Sequence, residues 1–535
     1  MKARFAIFGL AAALCSSAFL TSTPTRAQED SALLDALVKK GVLSDQEAED
    51  IRADEDKEYS STAASKINLS SSIKSITFYG DLRLRYELRD GTTPAGLSGQ
   101  SGIASNAGSQ DRNAWRYRLR FGVKGDLYDN FFYGIRASTN PYYDRSGNVT
   151  LGHSDNGGVF GKGYSEMAID LVYLGWKPTS DITLEGGQIL NPLYTTSMIW
   201  SDDINPTGAA EMYDHTFDNG LEVFATAGQY IISASEGNGI TNTIFGQAGN
   251  GASGADNFNN AWMFAEQVGF KYKFNDNTFV KAGATIYNYT GQDSTPSTLG
   301  ANYYSSSPLN LSSGQNSPTF ENGPFVGAAA APTTNDSGVN DIEVIEVPAE
   351  FDFKAFGVPM RFFGDVAYNI EGQERADDAR QALLTGNLGG VTPLGATGAA
   401  TGAPTLAQIQ SSPTGQGVLN SGKGLEDDIA YQVGYEAGVL KKKGDWQTRL
   451  YWQSTGYYAV DPNLTDADIF NGATNLQGIV VSGSYNWTDG ITSTLRYAHA
   501  SRVNSQLATP NVTQDLSLGN ISTYNLFQAD LMWKF

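Results

Sequence analysis

The chain has 535 residues and sets 36 Lys and Arg against 57 Asp and Glu, for a formal net charge of −21. So acidic a surface repels nucleic acid, which excludes that class of partner. A mean hydropathy of −0.30 and a single cysteine exclude two more: a membrane protein built of spanning helices, because no apolar run is long enough, and a disulfide scaffold.

In chain order, the first expected element is a signal peptide over 1–27. Lys2 and Arg4 make a basic head, 5–20 an apolar stretch, and Thr25-Arg26-Ala27 a cleavage site. Cys15 falls inside it, preceded by Leu14 rather than the small residue that lipidation needs, so the mature chain is expected to lack cysteine. Residues 28–58 read as a periplasmic helical hairpin. Leu33, Leu34, Leu37 and Val38 recur at helical spacing, Gly41 suits a C-cap, and Ser44 with Glu47 forms a capping box for a second helix through Ile51. Such short helices bury too little to fold alone. They either cover another element or serve to oligomerise or bind the cell wall. A Ser-rich linker follows over 59–75.

Beyond the linker the apolar period changes from 3.6 to 2 and holds to the end of the chain. About sixteen strands are predicted, at 75–90, 114–127, 130–139, 165–177, 181–190, 219–226, 229–235, 261–274, 278–289, 343–355, 358–370, 428–440, 446–455, 476–487, 491–503 and 523–535. Their connections alternate in kind. Short turns such as Tyr128-Asp129-Asn130, Asn275-Asp276-Asn277 and Thr488-Asp489-Gly490 take every second place, and long Gly/Ser/Thr-rich segments such as 290–341 and 371–427 fall between them. This alternation is what a transmembrane antiparallel β-barrel demands, since every backbone amide must be paired in lipid and the sheet must close.

The stretch AWRYRLRFGVKGDLY, 114–128, shows how such a strand is oriented. Trp115, Tyr117, Leu119, Phe121 and Val123 form one face, and Arg116, Arg118, Arg120 and Lys124 the other. The expected arrangement puts the apolar stripe against lipid and the cations against a wet lumen. A one-residue slip would move three arginines into lipid at about 2–4 kcal/mol each, so about 6–12 kcal/mol fixes the register.

Several segments together resemble the putative porins of Gram-negative outer membranes. They are LLDALVKKGVLSDQEAEDI, the first strand ITFYGDLRLRYELR, LVYLGWKP, GGQILNPLYTTSMIWSDDINPTGAA, the KKKGDW turn and the terminal aromatic strand. The likeness spans nearly the whole mature chain, with the 290–341 and 371–427 insertions standing apart. It implies a β-barrel channel in contact with outer-membrane lipid and lipopolysaccharide, and a C-terminal Phe535 read as an assembly signal by the barrel-assembly machinery. By analogy it also implies a homotrimer, and it names no solute.

The candidate pore-lining residues follow from strand parity. Arg83, Arg85 and Arg89 on the first strand neighbour Arg116, Arg118, Arg120 and Lys124 on the second, with Arg136 on the third. Glu346, Glu350, Asp352, Asp365 and Glu436 are inward-facing acids that could oppose them across a lumen, giving a transverse field and an anion preference. The plainer alternative is that Asp81, Glu87 and Asp126 pair with the arginines as scaffolding. The connection 191–218, with Trp200, Asp202, Asp203 and Asn205, is a candidate constriction loop folded into the barrel, or else an external loop packed on its neighbours. Asp202 and Asp203 lack the spacing of a calcium loop.

No cofactor or metal site is expected. His153, His215 and His499 stand in no catalytic pattern, and no nucleophile elbow, HExxH, Cys/His cluster or phosphate loop occurs. The sequence thus predicts a channel for passive diffusion of small hydrophilic solutes or ions, since sixteen strands leave an aqueous bore. The competing reading is a structural or adhesive outer-membrane protein tethered by its N-terminus to the cell wall.

Overall fold

The computed structural model describes residues 72–92, 109–140, 146–152, 166–233, 261–290, 342–385, 424–462, 464–505, 507 and 521–535, with scattered residues between 40 and 70 and between 407 and 420. The chain divides into 1–72 and 73–535. In the first unit Ser44 Oγ donates to Glu47 Oε2 at 2.8 Å and accepts from the Glu47 amide at 3.3 Å, and the Ser44 amide also donates to Glu47 Oε2. The expected signal peptide and most of the helical hairpin lie outside the described residues.

The second unit is a closed antiparallel barrel of sixteen strands. They are β1 (Thr77–Thr92), β2 (Ser109–Asp126), β3 (Phe131–Asn140), β4 (Glu166–Trp176), β5 (Ile182–Gln188), β6 (Thr207–Thr216), β7 (Leu221–Ser233) and β8 (Ala261–Asn275). Then come β9 (Thr278–Thr290), β10 (Glu343–Ala355), β11 (Val358–Asn369), β12 (Ile429–Gly438), β13 (Trp446–Thr455), β14 (Leu476–Asn486), β15 (Ile491–Arg502) and β16 (Thr523–Lys534). Each pairs with the next, and β16 returns to β1 from Asp81 opposite Lys534 to Thr92 opposite Thr523. Beyond the end of β3, the two-residue ribbon Val149–Thr150 continues the pairing on β2. A helix α1 (Gly372–Thr385), which the sequence reading missed, follows β11.

The usual rule of burial is inverted. On β1 the residues Asp81, Arg83, Arg85, Glu87 and Arg89 are buried while Leu84 and Leu88 are exposed. On β2 Trp115 and Phe121 are exposed and Arg116 and Arg118 buried. Closure satisfies the backbone without an edge, so side chains alone choose the faces. The outward apolar face and inward charged face are the arrangement that lipid outside requires.

All the connections at one end are short. One two-residue turn joins β10 to β11 through Phe356-Gly357, both at positive φ (53° and 80°), the handedness such a hairpin needs. At this end Asp445 is held below the usual carboxylate range by the amides of Lys441 and Lys442.

The expected count of sixteen strands is met, but through two compensating differences. The predicted strands 219–226 and 229–235 are one strand, β7, and the predicted loop 191–218 contains β6. Gly228 reads as a break, yet it sits mid-strand with the Tyr230 ring where its Cβ would lie. In β6 the inward residues are Gly208, Ala210, Met212 and Asp214 and the outward ones Ala209, Glu211, Tyr213 and His215, so no period-2 contrast marks the strand.

Candidate functional site

Two of the long connections run inward from the wall. The segment 189–206, between β5 and β6, buries Ile189, Leu193, Met198, Ile199 and Trp200 against Tyr230, Met263 and Tyr287. Trp200 is 3% exposed, stacks edge-on with Tyr230 and donates its indole N–H to the Ile204 carbonyl. The segment 456–475, between β13 and β14, buries Tyr458, Val460, Ile469 and Phe470. The two meet through the Ser201 amide on the Leu464 carbonyl (2.7 Å) and the Asp466 amide on the Ser197 carbonyl (3.1 Å).

The inward arginines of β1 and β2 are therefore not presented to open water as the sequence suggests. Arg85, 1% exposed, is gripped by Asp530 at 2.7 Å and by Asp468 at 2.6 Å. Arg83 lies 3.8 Å from Asp468 and 3.9 Å from Asp203, and Arg89 pairs with Glu87 at 3.3 Å. Arg116 pairs with Glu87 and donates to the Asn148 carbonyl. Arg118 and Arg120 share Asp81 (3.0 and 2.8 Å) and Asp203 (2.6 and 3.5 Å), and Arg136 takes Asp170 at 2.7 Å. Lys124 lies over the Tyr79 ring. Asp81 and Glu87 thus pair with the arginines. Asp126 instead accepts from Ser75.

Burial forces this outcome, because an inward guanidinium removed from water needs a carboxylate and hydrogen bonds to remain charged. Asp468 supplies much of it. Burial alone would raise its pKa, but Arg85 and Arg83 hold it well below the usual carboxylate range. Asp466, two residues away, has no such partner at ion-pair distance among the described residues, and burial together with the Asp468 charge pushes it up to about 6.

The candidate acids occupy the wall of β10 to β12 and divide into two sets. Glu350, Asp352 and Glu436 surround Arg361 at 3.3, 3.1 and 3.8 Å. Glu346 and Asp365, 0% and 1% exposed, meet no cation at ion-pair distance among the described residues. Each is instead capped by the inward segment: Thr195 Oγ1 donates to Glu346 at 2.6 Å and Thr196 Oγ1 to Asp365 at 2.5 Å. Tyr287 donates to the second Glu346 oxygen.

Of the remaining candidates, Asp202 lines a cavity beside Arg361, and Asn205 donates to the Asp170 carbonyl. Phe535 closes the barrel by exchanging backbone hydrogen bonds with Gly80, while its ring packs at a tilt against Trp533 at the outer surface. His215, on the outer face, pairs with Asp181 at 2.8 Å, and His499 with Asn525. His153 lies outside the described residues. The sequence reading missed Asp468, Asp530, Asp170, Arg361 and Arg449. A signal for Asp468 was present: Tyr457, Tyr458, Val460, Ile469 and Phe470 are apolar residues that an external loop has no reason to carry.

The family described as putative porin matches residues 64–535. No curated protein matches the chain. Among solved structures, the chain is similar to Salmonella typhi OmpF in complex with daunomycin, at 10% identity and TM-score 0.40, covering 88% of this chain and 100% of that one. It is also similar to the outer-membrane channel DcaP of Acinetobacter baumannii, at 13% identity and TM-score 0.37, covering 88% and 99%. Mutants of the Rhodopseudomonas blastica porin follow, one at 8% identity and TM-score 0.34, covering 86% and 100%.

Proposed function

This chain belongs to the putative porin family, and from that premise we propose that the outer-membrane channel it forms passes small hydrophilic solutes and ions passively down their gradients. The observation that carries the reading is the inverted barrel: an apolar outer belt, a charged inner face, and closure from β1 to β16. A charged interior is stable only when it is solvated or internally paired, and this one is both in places.

The inward segments 189–206 and 456–475 would narrow the bore. The residues Trp200, Asp202, Asp203 and Asn205 then belong to a constriction made from two connections. The Arg-rich wall of β1 to β3 gives a weak anion preference, weak because Asp468, Asp203 and Asp81 compensate most of it. Short turns face the periplasm together with the N-terminal segment. Lipid and lipopolysaccharide surround the outer belt, the barrel-assembly machinery reads Phe535, and three copies associate.

Single-channel recording of the purified full chain in planar bilayers tests this. Ohmic steps and a small anion-selective reversal potential are expected. A folded protein that conducts nothing would instead favour the structural or adhesive barrel, a reading that the apolar packing of the two inward segments also supports.

A further inference from the structure

Resting on the channel reading, we propose that the β10–β13 wall and the segment 194–197 build a recognition subsite for small zwitterionic solutes, those carrying a carboxylate and an ammonium on one short chain. The space is a cavity of about 280 Å³ between that segment and the wall, lined among others by Ser197, Asp202, Glu350, Arg361, Glu436 and Arg449. It lies just under the size of sites for drug-sized ligands, which suits a solute of amino-acid dimensions.

Arg449 is the anion-binding end. Its guanidinium lies 4.4 Å from the Phe363 ring centre and 5.0 Å from that of Tyr451, two rings that meet edge-on, so it rests in the corner they form. Its Nε is buried without a hydrogen-bond partner, and among the described residues no carboxylate lies within 4.0 Å of the group. The nearest acid in the register, Glu436 directly across the strand pair, is turned aside to accept from Gln447 at 2.9 Å and to face Arg361 at 3.8 Å. An oriented guanidinium with unspent donors is a fork for two carboxylate oxygens.

The other end of the cavity has the opposite imbalance. Among the described residues Arg361 is the one cation within 4.0 Å of Glu350, Asp352 and Glu436, while Lys281, opposite Glu350 in the register, is turned onto the Tyr194 ring, so three carboxylates share a single close cation. An ammonium beside Glu350 or Glu436 corrects this. The hydroxyls of Thr195 and Thr196 do not compete, since both are committed to Glu346 and Asp365. A solute with only one charge satisfies one end and leaves the other as it was, so the pair of ends selects dipolar molecules. Affinity must stay modest, because a channel site has to release what it binds.

Calorimetric titration of the detergent-solubilised full chain with 4-aminobutyrate, butyrate and butylammonium tests the subsite, with bilayer conductance measured on the same preparation. The zwitterion should bind at least several-fold more tightly than either singly charged probe. Arg449→Gln should weaken it about tenfold, and Arg449→Lys should rescue only part of the loss because the fork is gone. Glu436→Gln should weaken 4-aminobutyrate while sparing butyrate. Heat-modifiable migration on gels checks that each variant is folded. Equal binding of butyrate and 4-aminobutyrate, or binding indifferent to Arg449→Gln in a folded variant, overturns the proposal. Zwitterion binding without ohmic steps would sink the channel reading and leave the subsite standing, whereas steps without zwitterion binding would do the reverse.

Discussion

Asp468 reaches from the β13–β14 connection to within 2.6 Å of Arg85 on β1, so a loop residue closes the ion-pair ladder of the wall. Removing its charge by Asp468→Asn leaves Arg83 without one of its two carboxylates and Arg85 with Asp530 alone. Breaking a buried pair costs about 3–5 kcal/mol, and the surviving Asp530 bridge places this variant at or below the lower figure. Two effects are expected: a lower temperature for the heat-modifiable gel shift, and a reversal potential moved toward anion selectivity. An unshifted potential would show that Asp468 is remote from the conduction path.

The Glu346–Asp365 pair makes a different prediction. Glu346 is buried, and its two oxygens meet the hydroxyls of Thr195 and Tyr287, groups that can accept as well as donate, so Glu346→Gln is a near-isostere that keeps both contacts. Its cost should stay under about 1 kcal/mol. Thr196→Val instead strips a buried Asp365 oxygen of its donor, for about 1–3 kcal/mol, and loosens the segment 189–206. Open-channel noise should therefore rise in Thr196→Val and stay at the wild-type level in Glu346→Gln. Comparable noise in both would mean that the hydroxyl caps do not hold the segment.

The acids of the inner loop set a pH window. Asp466 is raised in the folded state, so its contribution is complete below the unfolded value of 3.8 and is lost as pH rises through about 6. Asp468 is lowered, so its contribution is present above 3.8 and is lost only as pH falls through a folded value well beneath that. These two acids together are most favourable near pH 4, and the Asp466 contribution declines from there until it is spent just above pH 6. Unfolding temperature in detergent should fall by a few degrees between pH 5 and pH 7, and Asp466→Asn should flatten that decline. A decline of undiminished slope in the variant assigns the effect to other groups; Asp428, pushed up to about 6 by burial and by Asp427 and Glu426, is the first to examine.

Most of the barrel was legible because lipid imposes a strict rule on each spanning strand, and β1 and β2 obey it residue by residue. It failed at β6, where Gly208, Ala210 and Met212 face an interior already filled by the segment 189–206 and carry no polar signal. The inward direction of the arginines was readable from parity. Their partners were not, because Asp468 and Asp203 sit in connections whose path depends on contacts with distant strands, and no local period reports such contacts. Arg361 and Arg449 lie at inward parity too, but isolated cations in otherwise mixed strands give no pattern to separate them from scaffold.

The arginines of β2 should divide by their partners rather than act as one ladder. Arg116 is buried against Glu87 and the Asn148 carbonyl, so Arg116→Gln leaves the buried Glu87 with Arg89 alone of its two guanidiniums and acts mainly on stability, by about 1–3 kcal/mol. Arg120 keeps more of its side chain exposed than Arg118, and its second carboxylate, Asp203, stands off at 3.5 Å, so its charge is the less compensated of the two. Arg120→Gln should move the reversal potential toward cations in a salt gradient while leaving the unfolding temperature nearly unchanged. Arg116→Gln should lower the unfolding temperature and leave the potential close to wild type. If both variants shift the potential equally, the buried and half-buried guanidiniums contribute alike to the field in the bore, and the division by partner is wrong.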